Sequence, residues 1–408
     1  MTTPKRPWAE RATDTGLLLF AFALPLSIAA TEITLGLTLL AWFATRPWSR
    51  AAAPGVRALG IATLALCGAW LLASATSPTP LASLIMARKL YSVVIVFLLA
   101  DRARDGALAN RFVTTTFAAG MLTAVIGFVM FGIKHARGGW DQPLEGVFST
   151  AMTSGNVLTT LTVAAFAVVL FERPGERRAW FDRSALALFA TSLALTFRRG
   201  SYLAWLTASV ALVALRRARW LAIVPLVVAF ALLVVPRAGR ERAESIAHPV
   251  DYTSAGRISL WKSGLAAFRD RPITGWGLQD SYTLIERYKR PDARFPAGHF
   301  HNNWVHIAVT TGAVGLLAYG AWMALAGWGA WRAFRRTRSA LAAAGLAAWI
   351  AFQVHGLFDW SFGDAEVVDQ LFVWLGLALA AGAGAALTPR EGSATLKSAA
   401  RPPAPKSH

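Results

Sequence analysis

About a dozen long apolar blocks, separated by short basic stretches, run the length of this chain. Blocks of roughly 18 apolar residues match the ~30 Å hydrocarbon layer of a bilayer. Of its 408 residues 55% are hydrophobic and only 15% charged, whereas soluble domains carry about 25% charged residues. That pattern excludes a soluble enzyme. The formal net charge of +19 does not mark a nucleic-acid binder either, because the positive charge lies between apolar blocks rather than on one polar face. The single cysteine, Cys67, sits inside an apolar block, so no intramolecular disulfide framework is possible. Trp48, Trp180, Trp220 and Trp304 fall at block ends, where amphipathic rings prefer the interface. The first block lacks a small-residue cleavage site followed by a soluble domain, so the first span is expected to stay in the mature protein.

The apolar pattern predicts an all-α integral membrane protein with spans over 14–28, 31–45, 57–75, 80–100, 110–132, 151–171, 184–197, 200–215, 219–236, 302–331, 339–357 and 366–387. Pro25 and Glu32 interrupt the first stretch, which could also be one tilted helix. The Lys/Arg distribution tests the count. With both termini inside, the cytoplasmic segments hold 24 of the 41 basic residues, and the short outer connections 74–80 and 358–365 hold none. This satisfies the positive-inside rule at every cytoplasmic loop. Twelve spans are thus expected, divided as 1–236 (spans one to nine), 237–301 (a long outer loop), 302–387 (spans ten to twelve) and 388–408 (a disordered tail). No internal repeat is evident, which weakens an inverted-repeat transporter reading.

Charge on the outer side is where chemistry is expected. Within the long loop Ile258, Trp261, Leu265 and Phe268 recur at helical spacing, predicting an amphipathic helix with Ser254 as N-cap that ends before Arg271-Pro272. It either lies on the outer leaflet with snorkelling basic residues or points Arg257 into a cavity as an anion clamp. Arg198-Arg199-Gly200 forms an abrupt turn between two spans, and membrane-edge charge that cannot snorkel is functional by default. Snorkelling suits Arg198 better than Arg199. Arg88 lies about 12 Å into the fourth span and must face protein, water or a headgroup, whereas neighbouring Lys89 can snorkel. His299, His301 and His306 cluster where the loop meets the tenth span, but their spacing does not place pairs on one helical face, and neither an HExxH motif nor a Cys ligand is near. No metal site is expected. Imidazole titrates near neutral pH, so a histidine here is either a helix cap or a general base. No Walker A loop, GxSxG or Asp-x-Asp pair is present, and Asp364-Ala-Glu366 is the nearest carboxylate pair. A departing diphosphate would need arginines to balance its charge.

His301-Asn302, nine residues and then Gly312-Ala-Val-Gly315 resemble the signature of O-antigen ligases, members of a superfamily that includes O-antigen polymerases and protein O-oligosaccharyltransferases. Three further elements are similar and in order: Arg199-Gly200, Gly256-Arg257 followed by Trp261, and Arg271-Pro272-Ile-Thr-Gly275-Trp-Gly277. The motif resemblance covers residues 190–330. Arg198 stands where the family often has Ser, which leaves open which arginine of the pair meets ligand. The resemblance implies a GT-C-like membrane glycosyltransferase of a Gram-negative inner membrane, with its active site on the periplasmic side. Its donor would be O-antigen on undecaprenyl diphosphate and its acceptor a sugar hydroxyl of lipid A–core, with membrane lipids around both and no cofactor or nucleic acid. Arg88, Arg199 and Arg257 would hold the diphosphate and His301 would deprotonate the acceptor, supported by Asn302, Gly200, Gly312, Gly315, Arg198 and Trp261. A polymerase or protein O-oligosaccharyltransferase is the alternative among enzymes. A polyprenol-glycan flippase is the alternative among transporters, though it calls for charge near the bilayer midplane.

Overall fold

The computed structural model describes residues 7–49, 52–138, 142–171, 179–217, 252–278, 281–289 and 298–384. Every regular element among them is helical. A helix satisfies its backbone polar groups internally, as lipid demands. Helices α1 (Trp8–Ala23) and α2 (Ile28–Ala44) answer the interrupted first stretch as two helices, not one tilted rod. The chain breaks around Pro25, Ser27 caps α2 by accepting from Ala30 N, and Gly16 lets α1 lie directly against Thr38 of α2.

Helix α3 (Pro54–Ala75) opens on a proline, whose missing N–H costs nothing in a first turn. The expected fourth span is not one α-helix: α4 (Pro80–Ala87) and α5 (Val94–Arg102) flank a 3₁₀ segment, Arg88–Val93, that begins at the basic pair. Then come α6 (Gly106–Gly138), α7 (Ala151–Phe171), α8 (Ala179–Leu195), α9 (Arg199–Arg217), α10 (Tyr252–Asp270), α11 (Ser281–Tyr288), α12 (Asn303–Thr337), α13 (Ala340–His355) and α14 (Ala365–Gly384). The expected ninth span, Trp220, the loop up to residue 251 and the tail from Thr388 lie outside the described residues. Among the described residues, six helical stretches are long and apolar enough to cross a membrane, and α2 and α13 are apolar but shorter. The chain is a multi-pass membrane protein.

Its centre is α7, α13 and α14, most of whose residues are buried. Small residues permit this. A Cβ at Gly345 of α13 would come 2.5 Å from that of Ala378 on α14, so the two backbones are in close approach. On the periphery Leu40, Leu64 and Leu317 are at least 70% exposed, an outward apolar surface that hydrocarbon covers.

Helix α10 forms over the expected residues but starts at Tyr252, placing Ser254 inside its first turn rather than at the cap. Its packed face also differs from the expected stripe. Leu260, Ser263 and Ala267 are buried, whereas Ile258 and Leu265 are exposed. Gly264 explains this: a Cβ there would meet Val305 Cγ1 at 2.6 Å, so the small-residue face is the one that docks on the start of α12. Trp276, Leu284, Ile285, Phe300 and Val309 complete a satellite core under α10 and α11.

Candidate active site

Four segments converge on the side bearing the long loop: the α8–α9 turn, the start of α10, residues 298–302 ahead of α12, and the 356–364 connection between α13 and α14. The α8–α9 turn is made by Phe197, in left-handed conformation at φ 52°, not by Gly200. Gly200 lies in the first turn of α9, where a Cβ would make only ordinary contacts, 3.8 Å from Phe358 and 3.9 Å from His355 Nε2. A cavity of about 70 Å³ opens here, lined by Arg198, Arg199, Gly200, Arg257, His355 and Asp359 with Met152, Phe197 and Phe358. Three of the four arginines singled out from the sequence therefore meet. Burial pulls the Arg257 guanidinium below its ordinary range; Asp359 opposes this, and Arg199 and Arg198 add to it. Crowded cations with one nearby carboxylate make an anion-seeking pocket.

Arg88 is not among the residues lining that cavity. It is exposed on the 3₁₀ segment. Its neighbour Lys89 reaches the site's edge instead, with Nζ 3.3 Å from the carbonyl of Gly363. Nearby, Asp364 is raised to about 7 by burial and by the charges of Asp359 and Glu366, against the pull of Lys89 and a 3.5 Å hydrogen bond from Thr153 Oγ1.

His301 adopts φ 47°, an uncommon left-handed conformation for histidine, immediately before the helix start. Three contacts hold it there. Its carbonyl accepts from Trp261 Nε1 at 3.4 Å, its N–H donates to His299 Nδ1 at 3.3 Å, and its own Nδ1 lies 3.2 Å from Asp359 Oδ1. Asn302 is the cap of α12: its Oδ1 accepts from Trp304 N at 2.8 Å and Val305 N at 3.0 Å, while its Nδ2 donates to Leu357 O at 2.9 Å. Asn303 adds N–H to Gly356 O at 2.7 Å and accepts from Phe362 N at 3.1 Å. The histidine and the Asp359 segment are thus sewn together by backbone as well as side chain.

Burial pushes the Asp359 carboxyl up, but the His301 hydrogen bond and the neighbouring histidines outweigh it and hold it below its usual range. Desolvation, with His301 adding, lowers His299 to about 4, so it is neutral at physiological pH. His299, His301 and Asp359 also offer three ligand atoms within 4.8 Å of one another, a grouping that can hold a divalent ion. The three arginines alongside raise the local positive potential and oppose that use. His306 is buried on α12 and stacks on Trp360 at 3.9 Å between ring centroids.

The glycines of the two loop motifs work at a distance from this cavity. Helix α12 is interrupted at Gly312 (φ 64°), and residues 272–277 thread into the break. Ala313 N donates to Pro272 O at 2.7 Å and Val314 N to Ile273 O at 3.2 Å; in return Trp276 N and Gly277 N donate to Val309 O and Thr310 O at 3.0 and 2.8 Å. A Cβ on Gly275 (φ 72°) would lie 2.6 Å from Thr310 O, and one on Gly312 2.6 Å from Thr274 N. Only glycine satisfies both the backbone angle and the space at this clasp. Gly315 sits one turn on, beneath the Thr311 side chain.

A family model described as O-antigen ligase matches residues 184–320. The match covers part of the chain and supports membership of the O-antigen ligase/polymerase superfamily. No curated protein matches it. The family segment contains the α8–α9 arginines, Arg257, Trp261, the clasp and His301-Asn302, and it supports a membrane enzyme of glycosyltransferase type. His355 and Asp359 fall outside it, and sequence reasoning missed both. His355 lies under the cavity floor, with Nε2 3.2 Å from Ser201 Oγ and Nδ1 3.3 Å from Ser361 Oγ. The available signal was the 358–365 connection: it pairs acidic residues with no cation, opposite a basic loop.

Proposed function

We propose that this protein is an O-antigen ligase. It transfers the glycan from undecaprenyl diphosphate to a sugar hydroxyl of lipid A–core on the periplasmic face of the inner membrane. The observation that carries this reading is the His301–Asp359 pair, 3.2 Å apart, beside a cavity that gathers Arg198, Arg199 and Arg257. The arginines match a diphosphate, which carries charge on both phosphoryl groups and leaves with it. An unaided sugar hydroxyl is a poor nucleophile and calls for a positioned base.

With Nδ1–H donated to Asp359, the His301 ring keeps its Nε2 lone pair for the acceptor hydroxyl. As the proton moves to Nε2, the acceptor oxygen attacks the anomeric carbon and the bond to the diphosphate oxygen breaks. The leaving undecaprenyl diphosphate stays in the arginine cavity, where guanidinium groups offset its growing charge. A single displacement inverts the anomeric centre and uses no metal or covalent intermediate. Asp359 remains ionised and stabilises the imidazolium, the role of the carboxylate in other His–Asp pairs.

The deciding experiment reconstitutes the purified protein with undecaprenyl diphosphate-linked O-antigen and offers two acceptors. Glycan joined to lipid A–core supports the ligase. Extension of a second lipid-linked glycan alone makes the enzyme a polymerase, and substrate movement without bond formation makes the protein a flippase.

A further inference from the structure

Along α10, away from Arg257, lies a second cationic group that the reaction above does not use. Arg271 and Arg287 both approach the ring of Trp276, with guanidinium carbons 4.5 and 5.2 Å from its centroid. Bringing two like charges onto one indole is unfavourable unless each is otherwise compensated. The neighbouring carboxylates make their direct contacts elsewhere. Asp270 accepts from the Tyr288 hydroxyl, and Glu286 pairs with Lys289 at 3.1 Å. Among the described residues neither arginine forms an ion pair; Arg271 donates only to the carbonyl of Thr76, at 3.2 Å.

Trp276 is itself buried, pinned by its Nε1 bond to Ala267 O at 2.8 Å and by the clasp to α12. The indole is therefore a rigid platform that presents two guanidinium groups. Stacking leaves the N–H edges of a guanidinium free for an oxyanion. The bond to Thr76, at the end of α3, places the pair at the loop-side end of the membrane helices. Ile273 beside it is 67% exposed, an apolar neighbour suited to the lipid boundary.

We infer that Arg271 and Arg287, stacked on Trp276, bind phosphate groups on the sugar headgroup of the acceptor glycolipid. This deepens the ligase reading and rests on it for the identity of the ligand. Arg271 follows Arg257 by fourteen positions, nearly all of them in α10, about 20 Å at 1.5 Å per residue. An extended saccharide anchored in the leaflet can hold its phosphates at one end of α10 and present its acceptor hydroxyl at the other. The ligase reading supplies the glycolipid as the occupant, and a phospholipid headgroup is the rival that the test separates from it.

The test is binding by the full-length protein in detergent, read by native mass spectrometry, with no donor and no turnover. The probes are a bisphosphorylated glucosamine-disaccharide lipid, the same lipid after phosphatase treatment, and phosphatidylglycerol as competitor. The wild type should hold the bisphosphorylated probe at least about tenfold more tightly than the dephosphorylated one, the scale of one charge-assisted hydrogen bond. R271Q/R287Q should erase that preference. R287Q alone should reduce it, and it guards against a folding defect because Arg287 makes no hydrogen bond among the described residues. Equal retention of both probes by the wild type, unchanged discrimination in R287Q and the double variant, or displacement by equimolar phosphatidylglycerol would each overturn the proposal. None of these results bears on transfer itself. Conversely, a wild type that binds the phosphorylated probe but transfers no glycan would sink the ligase reading and leave the site standing.

Discussion

Replacing Asp359 with Asn separates the two jobs assigned to the cavity. The change keeps shape and volume but removes the charge that His301 Nδ1 faces at 3.2 Å. A hydrogen bond to a charged group contributes about 1.5–3 kcal/mol. At 3.2 Å this one lies at the long end of the range for N–H to oxygen, so the lower half applies, about 2 kcal/mol. If the loss falls on the transition state, where the ring becomes cationic, kcat should drop about 30-fold. The donor should bind no worse, because the carboxylate removed is, among the described residues, the one negative charge lining a cavity with three arginines. Its loss leaves those arginines more attractive to a diphosphate.

The assay is steady-state transfer by reconstituted enzyme, with donor and acceptor varied in turn. The expected pattern is a fall in kcat with donor KM unchanged or lower. Wild-type kcat in Asp359→Asn would remove the carboxylate from the chemistry. A donor KM raised as much as in an arginine variant would mean that Asp359 acts by holding the cavity in shape, and the dyad argument would fail.

Other expectations follow from the same geometry. Arg257→Ala or Arg199→Ala should nearly abolish transfer in a protein that still inserts, with poor rescue by Lys, which lacks the planar bidentate fork; wild-type turnover in either variant would exclude that residue. Saturating chelator should leave the rate unchanged although His299, His301 and Asp359 can group around an ion, and a collapse reversed by added divalent metal would replace the arginine account with a metal one. His299 is already neutral at any pH well above 4, so His299→Ala should not move the acid limb of the transfer rate near neutral pH. A limb that shifts in His299→Ala would show that this ring titrates in the working range. Gly312→Ala should prevent stable folding, measured as loss of monodisperse protein, because both its φ of 64° and its contact with residues 273–274 exclude a side chain; a well-folded variant would show that the clasp is dispensable.

Much of the helical order is legible because lipid leaves the backbone few options, so apolar length alone places α3, α6, α7 and α14. What length does not carry is which face packs. The stripe Ile258, Trp261, Leu265 and Phe268 looks like the buried side of α10, yet Gly264 and Ala267 are the residues that admit α12. Between membrane helices close approach of backbones counts for more than apolar size, so small residues choose the interface. The break at Arg88 is similar: hydropathy runs through it, and its partners are tertiary, with Leu90 and Val93 packed into the main core and Lys89 reaching Gly363.

The candidate site is legible to the extent that its residues stand next to one another in sequence. Arg198 and Arg199 flank a turn and His301-Asn302 opens a helix, so local pattern marks them. Asp359 is 58 residues from His301, and nothing local joins them. Their meeting depends on Asn302 and Asn303, which spend their side chains and one N–H on Leu357, Gly356 and Phe362. Those bonds fix the carboxylate-bearing turn relative to the ring before any substrate arrives. The asparagine after the motif histidine is therefore a positioning residue through the α12 cap and the α13–α14 connection, not through the ring itself. Were it acting on the ring, its amide would contact an imidazole nitrogen; instead both its amide atoms are engaged with Trp304, Val305 and Leu357.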